Sequence, residues 1–104
     1  MSLNIDNNRS YFDLLLNTSS KQQTALLSTI TDPQIDLISE IFHNFQIVPL
    51  EGQQKQFVKK RIRFVRKVSN NSKSYRYRRS LITKHQKLVT KFIEFFKEDL
   101  KGLI

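Results

Sequence analysis

The stretch from about Gln53 to Val68 constrains this chain most, because its apolar and cationic residues separate into two sides of one helix. Set at steps of about 100° per residue, Phe57, Val58, Ile62, Phe64, Val65 and Val68 cover an arc of roughly 160°. Lys55, Lys59, Lys60, Arg63, Arg66 and Lys67 fill the remainder, and only Arg61 falls inside the apolar arc. A helix of this kind lays one side against other apolar surface and keeps the other in water. The fold must therefore supply partner helices, and the finished molecule must carry a cationic stripe.

That helix opens a longer run. From Lys55 to Lys91 there are fourteen Lys and Arg residues and no Asp or Glu, while the segment before it carries a formal charge of −4. The net charge of +9 is thus concentrated rather than spread. Clustered cations raise the local potential well above that of a mixed surface, which implies a partner that is a polyanion. With 38% hydrophobic residues and eight Phe in 104 residues, the chain is too apolar for a disordered basic tail. Its length suits one domain with one core.

The remaining segments read as helices that complete that core. Residues 1–9 are polar and Asn-rich and are expected to form a flexible lead-in. A first helix is predicted from Ser10, with Ser10 and Asp13 as a capping box and Phe12, Leu15 and Leu16 as its apolar face. Ser20 would cap a second, which carries Ala25, Leu26, Leu27 and Ile30. Asp32 as N-cap and Pro33 in the first helical position start a third, running to about Phe45. Its Leu37, Ile38, Ile41, Phe42 and Phe45 form a core wall, opposite Asp36, Ser39, Glu40, His43 and Asn44. Pro49 ends it, since the residue before a proline is pushed out of the α region.

Beyond the cationic helix, Ser69-Asn70-Asn71-Ser72 forms a loop, and Ser72 or Ser74 can cap a fifth helix through Tyr75-Arg76-Tyr77-Arg78-Arg79. Strict alternation over Tyr75–Arg78 also fits a strand. Thr83-Lys84-His85 is a joint before a sixth helix, where Leu88, Val89, Phe92, Ile93, Phe96 and Leu100 share a face and Gly102 stands just past the end. The expected fold is all-α, a compact bundle of five to six short amphipathic helices. It forms a single helical domain over residues 10–104, with an acidic first half and a basic second half.

Catalytic chemistry finds little footing. With no Cys, the sequence has no disulfide, thiolate metal site or Cys nucleophile. His43 and His85 are 42 residues apart and no H-x-x-x-H spacing occurs. Gly52 and Gly102 are the only glycines, so there is no phosphate-cradling loop or dinucleotide fingerprint. No enzyme activity, metal or cofactor is expected. No basic segment precedes an apolar run near residue 1, and no apolar stretch approaches membrane-spanning length. The expectation is a protein neither secreted nor embedded in a membrane.

Nucleic-acid binding needs cations that reach phosphates and, for single strands, flat rings on which bases stack. Lys55, Lys59, Lys60, Arg63, Arg66 and Lys67 supply the cations on one helix, and Lys73, Arg76, Arg78, Arg79 and Lys84 supply them on the next segment. Tyr75 and Tyr77 offer rings, unless one of them packs into the core. Nothing in the sequence specifies a base edge, since Asn70 and Asn71 more simply form a turn. The expected partner is nucleic acid, DNA ahead of RNA, held through phosphates with little sequence preference. An alternative is a structural or adaptor protein whose basic face docks an acidic protein or another copy of itself, acidic third helix to basic fourth.

Leu14-Leu15-Leu16, the segment from Lys21 to Thr31, Ile38-Ser39-Glu40-Ile41, Pro49-Leu50, Lys59-Lys60-Arg61 and Leu81-Ile82 are similar to short basic proteins of Maverick or polinton-like elements and adintovirus-like genomes. The resemblance covers most of residues 14–93. This chain has Gln46-Ile47-Val48 before the Pro-Leu pair, where those proteins carry Gly-Asn. The resemblance implies a viral or transposon genome context, a virion component, and a location in the host nucleus or the virion.

Overall fold

Helix α4 (Asp32–Ile47) is the axis on which the other elements are assembled. The structure, a computed structural model, describes residues 3–102. Before α4 come α1 (Leu3–Asn7), α2 (Arg9–Asn17) and α3 (Ser20–Ser28). After it come α5 (Gly52–Lys60), α6 (Ile62–Ser69), α7 (Tyr75–Lys84), α8 (Gln86–Phe95) and α9 (Lys97–Lys101). Among the described residues there is no strand, so the alternation over Tyr75–Arg78 belongs to a helix, capped by Ser74, whose hydroxyl accepts from the Tyr77 N–H at 3.1 Å.

The N-terminus of α4 shows why the helix starts where it does. Thr31 is the N-cap, and Gln34 reaches back to accept from the Thr31 backbone N–H at 2.9 Å. Pro33 sits in the first turn, where its missing N–H leaves nothing unpaired. Asp32, expected as the cap, stands one residue inside, where its carboxylate faces the positive end of the helix dipole. At the other end Val48, ahead of Pro49, is extended at φ −77° and ψ 134°. The predicted wall of Leu37, Ile38, Ile41, Phe42 and Phe45 is buried, as are Ile35 and Ser39. Ser39 is a correction, since α6 and α7 pack on the side of α4 that its polar residues had marked for solvent.

Seven of the eight Phe side chains form one connected ring cluster, and Phe92 of α8 is its centre. Its centroid lies 4.9 Å from that of Phe42, 5.5 Å from Phe45, 4.8 Å from Phe57 and 6.5 Å from Phe64. Phe45 stacks in turn on Phe96 at 4.4 Å. Offset and edge-on ring pairs of this kind add to the apolar area they bury. The cluster binds α4, α5, α6 and α8 together, while Phe12, Leu15 and Leu16 of α2 close the core from the side of Ile38 and Ile93.

Nine helices among the described residues exceed the expected five to six because α1 occupies the expected lead-in and because two of the expected helices are kinked. Asn8, Arg61, His85 and Phe96 each leave the α region for φ between −121° and −107° and ψ between 14° and 39°. The hydrogen-bond ladder resumes after each, so these are kinks rather than loops. The predicted fourth helix is α5 and α6 joined at Arg61, the one cation inside its apolar arc. There the N–H bonds to the Val58 carbonyl at 3.0 Å, and the turn redirects the side chain over the Phe57 ring. The predicted sixth helix is α8 and α9 joined at Phe96, and the joint expected at Thr83-Lys84-His85 falls on His85.

The remaining corrections lie at helix starts. Of the expected lead-in at 1–9, Met1 and Ser2 lie outside the described residues. The rest holds α1, whose Ile5 is buried against α4. The next helix accordingly begins at Arg9 with Asn8 before it, and no side-chain cap forms at Ser10. Ser19, one residue ahead of Ser20, caps α3 by accepting from the Gln22 N–H at 3.3 Å. Gln23 is fully buried because its amide donates to the Leu15 carbonyl at 2.7 Å, closing the C-terminal turn of α2.

Truncating the centre of the ring cluster should be costly. Phe92→Ala is expected to lower unfolding stability by about 3–5 kcal/mol, read as a shift of the urea midpoint, with helical signal retained below the transition.

Candidate nucleic-acid interface

The cations of the basic run divide by whether the fold needs them. Lys55 and Lys59 lie one turn apart on α5, with Lys60 beside them. Arg63, Arg66 and Lys67 continue the series on α6, and all six are exposed. Their predicted helical face is preserved across the Arg61 kink because Val58, Val65 and Val68 hold the opposite side in the core. Helix α7 packs against α6 and brings Lys73, just before its start, and Arg76 to the surface beside that stripe. Lys84, at the C-terminal end of α7, is exposed as well.

Arg78 is the exception. With 3% of its surface exposed, it is a structural side chain, and its place among the surface cations is corrected. Its Nη1 donates to Ser39 Oγ at 2.8 Å and to Asp36 Oδ1 at 3.3 Å, and its guanidinium lies 4.8 Å from the Tyr75 ring centroid. Ser39 Oγ donates in turn to the Val68 carbonyl at 2.8 Å, in the last turn of α6. A buried cation next to a helix C-terminus complements the dipole there. The sequence pattern could not single out Arg78 among the three arginines of one segment.

Arg79 is partly withdrawn too. It pairs with Asp32, and its Nε donates to the Ile30 carbonyl at 3.3 Å. Among the described residues, no other cation between Lys55 and Lys91 has a carboxylate within ion-pair distance. The acids are occupied elsewhere: Glu94 accepts from Gln23, Asp99 from Gln54, Asp13 from Asn17, and Glu40 from Asn4. The acids of α4 thus contact α7 and α1 of the same chain.

Neither Tyr75 nor Tyr77 enters the core. Tyr75 donates its hydroxyl to Asp36 Oδ2 at 2.7 Å, and that hydrogen bond, followed by the Asp36 charge, pushes its ionisation above the usual tyrosine range. The bond therefore persists below the ordinary tyrosine pKa and is lost as pH rises through the folded-state value. Tyr77 carries Lys73 Nζ 5.2 Å from its ring centroid. Both rings already have a cationic neighbour.

Two cations outside the predicted set extend the surface. Lys87 and Lys91, with Lys84 and His85, border an open hollow of about 410 Å³ at the α7–α8 kink. Their spacing of i, i+3 and i+7 from Lys84 was the available signal. His85 is held there by its edge-on contact with Phe64, centroids 5.3 Å apart. Among the described residues no group of three His, Cys, Asp or Glu side chains is arranged to hold a metal ion. No helix among them is long and apolar enough to cross a membrane.

In comparisons with protein-family models, with curated proteins and with solved structures, nothing matches this chain.

The two kinds of arginine should separate in stability. Arg78→Ala removes the cation paired with Asp36, whose side chain is 32% exposed, and leaves α7 joined to α4 at this point only through Tyr75. It is expected to cost about 2–3 kcal/mol in urea unfolding, below the value for a fully buried pair. Arg66→Ala should stay within about 0.5 kcal/mol of the parent.

Proposed function

We propose that this protein binds nucleic acid through the phosphate backbone, with little sequence preference and without catalysis. The carrying observation is that Lys55, Lys59, Lys60, Arg63, Arg66 and Lys67 stand exposed on α5 and α6 and that, among the described residues, no carboxylate lies within ion-pair distance of them. Such a surface gains affinity by releasing counterions condensed on the polyanion. Arg forks suit phosphate oxygens in pairs, and lysines act as mobile point charges that follow an irregular backbone.

Lys73, Arg76 and Lys84 extend the path on α7, while Arg78 positions α7 and makes no contact with the ligand. The setting that the resemblance implies is a viral or transposon genome, and packaging or organising such a genome requires this kind of sequence-tolerant contact. A location in the host nucleus or virion belongs to the same proposal.

If about six phosphates are neutralised, affinity for duplex DNA should fall with salt at a log–log slope of about −5. Fluorescence anisotropy across roughly 50–300 mM salt reads that slope, and a value near zero would refute backbone contact. Replacing Lys59, Arg63 and Arg66 together by Glu should abolish binding and leave the circular dichroism of the folded protein unchanged.

A further inference from the structure

The cationic stripe has a flat aromatic surface at one end. Between α5 and α8 lies an open hollow of about 630 Å³, inside the roughly 300–1,000 Å³ range of small-ligand sites. Phe57 and Phe95 line it with their rings nearly parallel, centroids 4.7 Å apart and planes 8° apart. Phe95 remains 38% exposed. The Arg61 guanidinium lies 4.2 Å from the Phe57 centroid, and its Nη1 donates to the Phe57 carbonyl at 3.3 Å, which fixes it against the ring.

The charged residues that line this hollow are of one sign. Lys55, Lys60 and Arg61 line the hollow and no carboxylate does. Gln53 and Gln56 add amide donors and acceptors that suit a base edge without selecting one base. The segment reaches this position through Gly52, whose φ of +60° is in the left-handed region that other residues rarely adopt. Nothing lies within 4 Å of where a Cβ at Gly52 would stand, so the glycine serves the turn and not a close contact.

We infer that this hollow docks one unpaired nucleobase, with Phe95 as the stacking surface, Phe57 and its Arg61 guanidinium as the support of that ring, and Lys55 and Lys60 on the flanking phosphates. This rests on the nucleic-acid reading above and adds to it a preference for single strands or frayed ends. A base inside a duplex is stacked on both faces and cannot reach the ring. An unpaired base can, and every base has a π face to offer. Tyr75 and Tyr77 are exposed to a similar extent, 38% and 36%, but neither lines this hollow.

The test compares the parent protein with Phe95→Ala and Phe95→Leu on a short labelled thymidine single strand and on a duplex of equal length, at low salt. Leu keeps apolar bulk against Phe57 and removes only the flat ring. Both variants should bind the single strand roughly ten-fold more weakly, the loss expected when one base loses its aromatic partner. Duplex affinity should not change. A 2-aminopurine placed in the strand should be quenched by the parent and less so by either variant. Equal weakening on both substrates, or unchanged single-strand affinity, would overturn the inference while leaving the backbone reading intact. If the parent binds neither substrate, the backbone reading falls and this inference with it.

Discussion

The contact on which the rest of the structure depends is the four-way junction of Arg78, Asp36, Ser39 and the Val68 carbonyl. One guanidinium nitrogen bonds both a serine hydroxyl and a carboxylate of α4, and that hydroxyl satisfies a carbonyl in the last turn of α6. Three helices are thereby fixed at one point. Inside a core, an unpaired charge or carbonyl is expensive, so removing any one member of the junction leaves the others costly to bury. The junction ties α6 and α7 to α4, and the outer faces of α6 and α7 carry exposed cations.

The Phe cluster supplies the complementary, non-directional half of the assembly. Phe92 holds rings from α4, α5 and α6, so the two halves of the kinked basic helix are both anchored from within. Anchoring from one side leaves the other side to charge. A surface rich in one sign raises self-repulsion, which a well-packed core can tolerate and a polyanion relieves. The same cluster surfaces at Phe57 and Phe95, where an apolar core and a cationic stripe meet in one hollow.

Much of this was legible before any coordinates, and the parts that were not share a cause. Periodicity of 3.6 identifies which residues face a core, so the buried face of α4, the Val58-Val65-Val68 side of the basic helix and the Phe92-Ile93-Phe96-Leu100 stripe could be read directly. Periodicity carries no information about polar residues recruited by a neighbouring helix. Ser39, Gln23 and Arg78 are buried against a carbonyl, a carbonyl and a carboxylate that lie 29, 8 and 42 residues away, a pairing that no local pattern encodes. Kinks were missed for a related reason. Arg61 broke the apolar arc, which hinted at the bend, but at Phe96 the arc was unbroken and only tertiary packing turns the chain. The aromatic hollow joins α5 to α8 and had no local signature at all.

The most direct measurement is a heteronuclear NMR titration of the labelled protein with a short nucleic-acid strand at low salt, following every backbone amide. The expected result is a contiguous set of shifts over residues 52–67 and 73–84, with α2 and α3 silent and the buried junction around Ser39 and Arg78 little changed. Shifts confined to the opposite side, around α2, α3 and the exposed Ile47 and Val48, or no shifts at saturating ligand, would contradict a phosphate-binding stripe on α5, α6 and α7.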